Sequence, residues 1–433
     1  MKGGDTMASI RKRGDSWQIT VSNGYGSNGK KITKSKTVKK PHDMTPKKWE
    51  KELEKIALEF EIEVEKGLFV DSNTTLADFT ERWLKEYAEK QLQPKTIESY
   101  KAELNGKILP ALGHIKLDKL SPVQILSFLN NLMEDGVRLD GKPGPYSNRV
   151  IKYQWQILSS ILQTAVYWQV IPDNPCKRVK CPQNPAKNNK TNQSIKYLDE
   201  KETVLLLDAI KDEPLKYQLA ANLAIYCGFR KGELLGLTWN DIDWEEKTIS
   251  IIRSKSYTKE LGMYVKMPKN NTSVRVVAIP DVIISLLREY KLWQNGEKAK
   301  CGDLWDEEWD NMPWLFTQWD GKGMAYDTLT NWLRNFIKKY NKSIKEDPTI
   351  PDNEKDNYLL PVIGFHALRH TNATLLIKEN TDIRTVASRL GHAQTSTTLN
   401  IYVHGLKSAD RKAASALENL LGNNNDSETI KNA

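Results

Sequence analysis

A polar stretch in the middle of the chain, CPQNPAKNNKTNQS at residues 181–194, separates two segments with different hydrophobic patterns. Apolar residues between about 75 and 175 recur with the spacing of amphipathic helices, as in YSNRVIKYQWQILSSILQTAVYW. The segment after the polar stretch mixes helical patterns with short alternating strands. A chain of 433 residues is also too long for one hydrophobic core. We therefore predict several compact domains, with a linker at this stretch.

The net charge of +9 lies in the first 48 residues, which hold twelve Lys or Arg and three Asp or Glu. These charges alternate with strand-forming residues in SWQITVSNGYGSNGKKITKSKTV, a pattern that disordered basic tails generally lack. The pattern predicts strands near 8–13, 16–22 and 31–38, and then a charged helix from about Thr45 to Lys66. A folded cationic module of this kind is suited to binding the phosphate backbone of DNA. The candidate DNA contacts are Arg11, Lys12, Arg13, Lys30, Lys31, Lys34 and Lys36.

The same module contains a glycine pattern that resembles a nucleotide-binding motif. Gly24, Gly26 and Gly29 have the spacing GxGxxG, and Lys30 follows them. Such a phosphate-binding loop needs a strand before it and a helix after it. The residues that follow, KKITKSKTV, alternate as a strand does, so the glycines indicate the loop of a β-hairpin. We reject nucleotide binding.

The patterns favour a multidomain α+β protein. We predict that its sheet-forming C-terminal domain is mainly helical, with a small antiparallel sheet made from KTISII, MYVKM and VRVVAIP. We interpret the acidic, Trp-rich residues 300–315 as a surface insertion and not as a metal site. The predicted domains are a β-rich basic module with a connecting helix (1–70), an all-helical domain (71–180), a linker (181–195), a mixed domain with a C-terminal helix (196–421) and a polar tail (422–433).

Composition argues against the secreted and membrane classes of protein. No apolar run approaches the ~18 residues that a bilayer-spanning helix needs, and the N-terminus lacks the apolar core of a signal peptide. The four cysteines are scattered and form no CxxC pair. We expect a reducing, cytoplasmic location, with the protein associated with the nucleoid while it is bound to DNA.

Five short stretches after residue 196 carry groups that could do chemistry. Taken singly, each is weak evidence, because an arginine in a turn or a lysine in a hairpin is usually a surface charge. The HALRH stretch lacks the glutamate of the zinc motif HExxH, and no third type of metal ligand clusters near it in the sequence, so a metal site is not indicated. The candidates are Arg230 in CGFRKGELLGLTWNDID, Lys269 in MPKNNTSVRVVAIP, His366 and Arg369 in HALRH, His392 in RLGH and Tyr402 in TTLNIYVH.

Taken together, these six residues form a set that is rich in hydrogen-bond donors and poor in carboxylates. That set suits attack on a phosphodiester without a metal ion. Tyr402 would be the nucleophile, and the two arginines would hold the non-bridging oxygens. Lys269 would protonate the leaving 5′-oxygen. His366 and His392 would orient the phosphate, and His366 could take the tyrosine proton.

The stretches GFRKGELLGLTWNDID, PKNNTSVR, HALRHTNATLL, RLGH and TTLNIYVH resemble the tyrosine recombinase (phage integrase) family. The resemblance spans nearly the whole chain and is strongest to integrases of phages and conjugative transposons. It implies that residues 1–70 are an arm-type DNA-binding module, that 71–180 are a core-binding domain and that 196–421 are the catalytic domain. All six candidate catalytic positions match the family pattern. Phe229, where a smaller aliphatic residue is commoner, and the Trp-rich region near 300–360 depart from it.

The resemblance implies a C-shaped clamp around duplex DNA and four protomers acting on two DNA partners. Tyr402 would form a 3′-phosphotyrosine, and the released 5′-hydroxyl would attack the partner strand through a Holliday junction. The linkage conserves bond energy, so neither ATP nor a metal cofactor is implied. The partners implied are attachment-site DNA of core and arm type, excision and DNA-bending accessory proteins, and neighbouring protomers that exchange C-terminal helices. A membrane is not among them.

Two other functions remain open at this point. A non-catalytic, architectural DNA-binding protein could share the fold, but it would be expected to lose Tyr402 or an arginine. A type IB topoisomerase resembles the chemistry, but it would act as a monomer and would not need a basic arm module. The intact set of six residues favours a site-specific integrase that inserts and excises a mobile element.

Overall fold

The computed structural model describes residues 8–25, 29–65, 74–183, 197–266 and 274–392. The chain divides into two compact units, residues 1–191 and 192–433. This division falls within the stretch predicted as a linker, and the remaining domain limits stay predictions. None of the helices in the described residues is long and apolar enough to cross a bilayer.

The first unit begins with an antiparallel sheet of three strands in the order β1-β2-β3. Ile19 and Val21 of β2 are fully buried because they pack, together with Trp17, against the apolar face of the helix that follows, which includes Trp49 and Phe60. The three predicted strands, the predicted hairpin and the predicted helix are confirmed. Their bounds are β1 Ser9–Arg13, β2 Ser16–Tyr25, β3 Lys31–Lys39 and α1 Pro46–Glu65.

The rest of this unit is helical and has its own apolar core, as predicted. The side chain of Thr75 accepts a hydrogen bond from the backbone of Asp78 in a capping box, which fixes where the first helix begins. Trp83 at the end of that helix is fully buried, and its Nε1 donates to Thr164 Oγ1 at 3.0 Å. The helices are α2 Leu76–Trp83, α3 Pro94–Glu103, α4 Pro122–Asn131 and α5 Asn148–Tyr167, and π-helical turns extend α2 and α3.

The second unit packs helices around a large apolar core and two small antiparallel sheets. The helices are α6 Glu200–Ala209, α7 Leu215–Cys227, α8 Lys231–Gly236, α9 Asp281–Cys301, α10 Thr328–Glu346, α11 His366–Lys378 and α12 Ile383–Leu390. The strands are β4 Ile242–Asp243, β5 Thr248–Ile251, β6 Ser254–Thr258, β7 Gly262–Lys266 and β8 Arg275–Ala278.

The prediction of one sheet from three strands is wrong in detail. β4, β5 and β8 form one sheet, whereas β7 pairs with β6 in a separate hairpin. The strand β6, SKSYT, was not predicted from the sequence because it lacks an alternation of apolar and polar residues.

The interpretation of residues 300–315 as a surface insertion is also wrong for its tryptophans. Trp305 and Trp309 are buried, and Trp314 forms an isolated β-bridge with Thr238. The segment is held inside by the fully buried Gln294, whose Oε1 accepts from Trp239 Nε1 at 2.6 Å while its Nε2 donates to the backbone of the segment. The acidic residues Glu307, Glu308 and Asp310 are exposed. The segment is therefore a wall of the domain core with an acidic outer surface.

Candidate active site

The turn between α7 and α8 places Arg230 at the N-terminus of α8, as predicted. Gly228 ends α7 with a φ of +68°, a conformation that favours glycine. A Cβ at this position would collide with the Leu390 side chain and lie 2.7 Å from Asn372 Oδ1. The turn is therefore tightly packed against α11 and α12, which fixes the direction in which Arg230 leaves the backbone.

Arg230 is held by two partners and still reaches solvent. Its Nη1 donates to Glu233 Oε1 at 2.7 Å, and its Nη2 donates to the Gly391 carbonyl at 3.1 Å. Glu233 also accepts from the Arg230 backbone N–H at 2.9 Å, so the carboxylate caps the helix on which it lies. The Arg230 side chain remains 35% exposed, and it can therefore contact a bound anion.

Glu233 joins Arg230 to a further arginine, Arg275, at the start of β8. Arg275 Nη2 and Nη1 donate to the two oxygens of Glu233 at 2.8 and 3.1 Å, and both side chains are buried. Burial alone would raise the pKa of Glu233, but the hydrogen bonds and charge of Arg275, and then of Arg230, outweigh it and lower the pKa to about 2. Sequence reasoning gave no role to Glu233 or Arg275.

Arg369 is on α11, one turn after His366, as predicted. Its Nη1 donates to the Gly228 carbonyl and its Nη2 to the Leu390 carbonyl, both at 2.6 Å. The residue is 2% exposed. Arg369 therefore links the turn that carries Arg230 to the end of α12.

The C-terminus of α12 brings three arginines together. Its last carbonyls, those of Arg389, Leu390 and Gly391, accept in order from Arg275 Nε, Arg369 Nη2 and Arg230 Nη2, at 2.8, 2.6 and 3.1 Å. Unpaired carbonyls make a helix C-terminus partially negative, so three guanidinium groups stabilise it there. Gly391, with a φ of +64°, closes the helix, and a Cβ there would lie 2.9 Å from Arg275 Nη1. His392 follows this turn, as predicted.

The histidines of the site favour their neutral forms. Burial, and then the cations Arg369 and Arg230, lower the pKa of His366, and the same causes lower the pKa of His392 to about 4. The His370 ring lies edge-on to the His366 ring, with 4.8 Å between centroids, and burial lowers the pKa of His370 to about 4. A neutral imidazole can accept a proton, so this state suits the role proposed for His366.

A cleft of about 650 Å³ opens beside Arg230 and His366. Lys231, Arg253, Lys255 and Lys266 also line it, and the carboxylate among the described lining residues, Glu233, is already paired with arginines. The cleft is therefore cationic and suited to a phosphate group. Of the six predicted catalytic residues, Arg230 and His366 line this cleft. Arg369 contacts the turn that carries Arg230, and His392 follows Gly391, whose carbonyl accepts from Arg230. The other two, Lys269 and Tyr402, lie outside the described residues.

The predicted DNA contacts of the N-terminal module are divided between the two faces of its sheet. Directly opposed residues of neighbouring strands point to the same face. Three candidate lysines share the face that packs on α1: Lys12 is opposite Trp17, Lys34 opposite Val21 and Lys36 opposite Ile19.

The other face of this sheet is open and polar. Arg11 and Arg13 lie on it, opposite Gln18 and Ser16, and all three residues of β1 from Arg11 to Arg13 are exposed. Strand alternation places Lys31 on this face as well, together with Lys39, which sequence reasoning had not selected. Lys30 precedes β3. The assignment of these residues to DNA binding remains a prediction.

Two family models match the chain. The model described as "Phage integrase family" matches residues 196–409, and the one described as "Phage integrase, N-terminal SAM-like domain" matches residues 75–133. Together they cover more than half of the chain, including all six predicted catalytic residues.

Known proteins are similar over most of the length. A protein named "Tyrosine recombinase XerC-like" from Caldanaerobacter subterraneus subsp. tengcongensis is 29% identical over 419 residues, covering 93% of this chain and 96% of the relative. The "ICEBs1 integrase" of Bacillus subtilis is 26% identical over 330 residues, covering 76% and 79%.

Among solved structures, the Tn1549 transposon integrase in complex with transposon right-end DNA has a similar fold. It superposes with a TM-score of 0.60 at 19% identity, covering 79% of this chain and 99% of that chain. The α+β architecture with small antiparallel sheets therefore agrees with the expected fold class. On the matches of both domain models, the chain belongs to the phage integrase family of tyrosine recombinases, enzymes that cut and rejoin DNA strands.

Proposed function

We propose that this recombinase is the integrase of a mobile element and that it acts at attachment sites through the six residues identified above. The observation that carries the residue assignment is that Arg230 and His366 line one cationic cleft, while Arg230 and Arg369 meet at the end of α12, directly before His392. Similarity to the ICEBs1 integrase and to the Tn1549 transposon integrase supports the mobile-element role.

Two transesterifications account for the reaction. In the first, Tyr402 Oη attacks the scissile phosphorus, a bond from the phosphorus to Oη forms, and the bond from the phosphorus to the 5′-oxygen breaks. His366 takes the phenol proton and Lys269 gives a proton to the leaving 5′-oxygen. In the second, a 5′-hydroxyl of the partner strand attacks the 3′-phosphotyrosine and releases Tyr402. One phosphodiester replaces another, so the cycle requires neither ATP nor a metal ion.

Arg230 and Arg369 have different parts in this scheme. Arg230 is partly exposed at the cleft and would hold a non-bridging oxygen directly. Arg369 is nearly fully buried against two turns, so it would combine contact to the phosphate with support of the site. Four protomers on two DNA duplexes, linked by exchange of the C-terminal helix, would complete the assembly, and accessory proteins would bend the DNA.

Replacing Arg230 or Arg369 with alanine is expected to slow cleavage by about 10²–10³-fold in each case, because each removes a donor that stabilises transition-state charge. The Arg369 variant should also unfold more easily than the Arg230 variant, by about 2–4 kcal/mol, since it leaves two buried carbonyls without their donor whereas Arg230 is partly exposed. Single-turnover cleavage and urea unfolding measure the two effects. Equal stability of the two variants would contradict the structural role assigned to the hydrogen bonds from Arg369 to the two carbonyls.

Glutamine at three open-face positions of the N-terminal sheet is expected to weaken binding to arm-type DNA sites. Each lost phosphate contact should reduce the slope of log affinity against log salt by about 0.9. Fluorescence anisotropy at several salt concentrations measures that slope. The positions are Arg11, Arg13 and Lys39.

A second triple variant removes the same number of charges from the face packed on α1. A smaller effect is expected, because Lys36 already contacts Glu63 at 3.7 Å and lies over the Phe60 ring. An equal loss of affinity in this variant would show that strand face does not decide which residues bind DNA. Its positions are Lys12, Lys34 and Lys36.

A covalent-adduct assay tests the proposed function. The full chain is incubated with nicked duplexes taken from the DNA that flanks its gene, where attachment sites are expected, and a DNA-linked protein band is sought on a denaturing gel. Mass spectrometry of the band should identify a peptide linked through Tyr402 to a 3′-phosphate. DNA binding without an adduct would favour an architectural protein, and relaxation of supercoils by a monomer would favour a topoisomerase.

A further inference from the structure

Lys255 is a buried cation of the cleft wall that no carboxylate of the described residues contacts directly. It lies on β6, is 6% exposed and is among the residues that line the cleft. Within the described part of the chain its ammonium group forms neither an ion pair nor a hydrogen bond. A buried charge without such partners is strongly unfavourable, so this arrangement calls for an explanation.

Three other cations of the same cleft do have carboxylate partners. Arg230 pairs with Glu233, Lys231 Nζ lies 3.2 Å from Asp327 Oδ1, and Arg253 Nη1 lies 2.6 Å from Asp241 Oδ2. The remaining one, Lys266, is partly exposed, so water can solvate it. Among the described residues, Lys255 has no carboxylate within ion-pair distance, and its burial restricts its access to water.

The residues around Lys255 fix the position of its side chain but do not neutralise its positive charge. Its Nζ lies over the Trp314 ring, 3.2 Å from the centroid, which stabilises a cation from one side only. Gly323 stands next to the same nitrogen, and a Cβ there would collide with it. Gly232 of α8 similarly leaves room for the Lys255 backbone. The chain therefore provides a specific space for this lysine between α8 and the Trp-rich segment.

The pKa of Lys255 is consistent with a site that is completed by a bound anion. Burial lowers the pKa of Lys255 to about 7, and the charge of Asp306 opposes this shift only in part. An anion brought next to the ammonium would favour the protonated form and would restore an ordinary pKa.

We propose that Lys255 binds a backbone phosphate of the DNA other than the scissile one. Arg230, His366, Lys255 and Lys266 all line the cleft, so a strand bound in it would meet the first two residues and Lys255. This inference rests on the proposed function for the position of the scissile phosphate. Lys255 itself carries out no bond-breaking step. It would fix the register of the strand on which Arg230 acts.

Replacing Lys255 with methionine, which keeps the length and removes the charge, tests this contact. The full chain is titrated with the attachment-site duplex at several salt concentrations. We expect an affinity loss of about tenfold and a slope of log affinity against log salt that is shallower by about 0.9. The control is Lys298→Met, which removes a lysine that is paired with Asp310 on the surface of α9. It should bind as the unmodified protein does.

A series of duplexes, each with one uncharged methylphosphonate, locates the contact. The unmodified protein should lose affinity at a particular non-scissile position, and the Lys255→Met variant should lose nothing more there. Thermal unfolding of the variant should be unchanged or shifted upward, since it no longer buries an unpaired charge. Binding and salt dependence unaltered in Lys255→Met, or a loss that maps to the scissile phosphate, would overturn the proposal. The Tyr402 adduct is read separately, so its absence would instead refute the proposed function.

Discussion

Replacing Tyr402 with phenylalanine is expected to abolish the covalent DNA adduct and to slow strand cleavage by at least ~10⁴-fold. Phenylalanine keeps the ring and removes the oxygen that would form the bond to phosphorus. The remaining groups of the site can still bind and polarise the phosphate, but none of them is placed in the scheme as a nucleophile. DNA affinity should be retained within about twofold, because it depends on many cationic contacts.

Tyr358→Phe is the matched control for this experiment. Tyr358 is in the same unit and 42% exposed, so it loses the same hydroxyl at a position outside the cleft. Its cleavage rate should equal that of the unmodified protein. An adduct of normal yield in the Tyr402 variant would refute the nucleophile assignment, and a loss in both variants would point to a damaged fold.

Replacing Glu233 with glutamine is expected to lower the free energy of unfolding by roughly 3–5 kcal/mol, the usual cost of removing one partner of a buried ion pair. Arg275 is buried and would lose the carboxylate that both its terminal nitrogens contact. Arg230 would lose the group that fixes its guanidinium, so cleavage should fall as well. Urea unfolding and single-turnover cleavage measure the two losses.

The pH dependence distinguishes a charge effect from a packing effect at Glu233. Its pKa in the folded state, about 2, is below its ordinary value of 4.5. Stability from this carboxylate is therefore present above pH 4.5 and is lost as the pH falls toward 2. The difference between Glu233→Gln and the unmodified protein should shrink over that range. Glu297→Gln, which breaks a surface pair with Lys300, should change stability by less than about 1 kcal/mol, and a similar loss in both variants would contradict the burial argument.

Much of the site could be predicted because its signals are local. The apolar pattern of HALRHTNATLL places His366 and Arg369 on one helix, and the glycine of RLGH ends a helix before His392. The glycine of CGFR similarly places Arg230 in a turn. In each case the conformation depends on a few neighbouring residues, so a single sequence contains the information.

Features that depend on tertiary contacts could not be predicted. Glu233 and Arg275 are 42 residues apart, and no local pattern pairs them. The tryptophans of 300–315 were predicted to lie on the surface because acidic residues surround them in the sequence. In the structure, contacts with Gln294 and Thr238 hold this segment against the domain core. The division of the N-terminal cations between two faces required the strand register, because a shift of one residue would exchange the faces.

The arginines that donate to the three last carbonyls of α12 also limit how this enzyme could lose its activity during evolution. Arg230 and Arg369 serve both the proposed chemistry and the closure of a helix, so a descendant that discards Arg369 would give up part of its folding stability along with its reaction. In the proposed scheme Tyr402 serves only the chemistry and has no part in closing the helix. An inactive descendant kept for DNA binding alone would therefore be recognised by a missing tyrosine beside retained arginines.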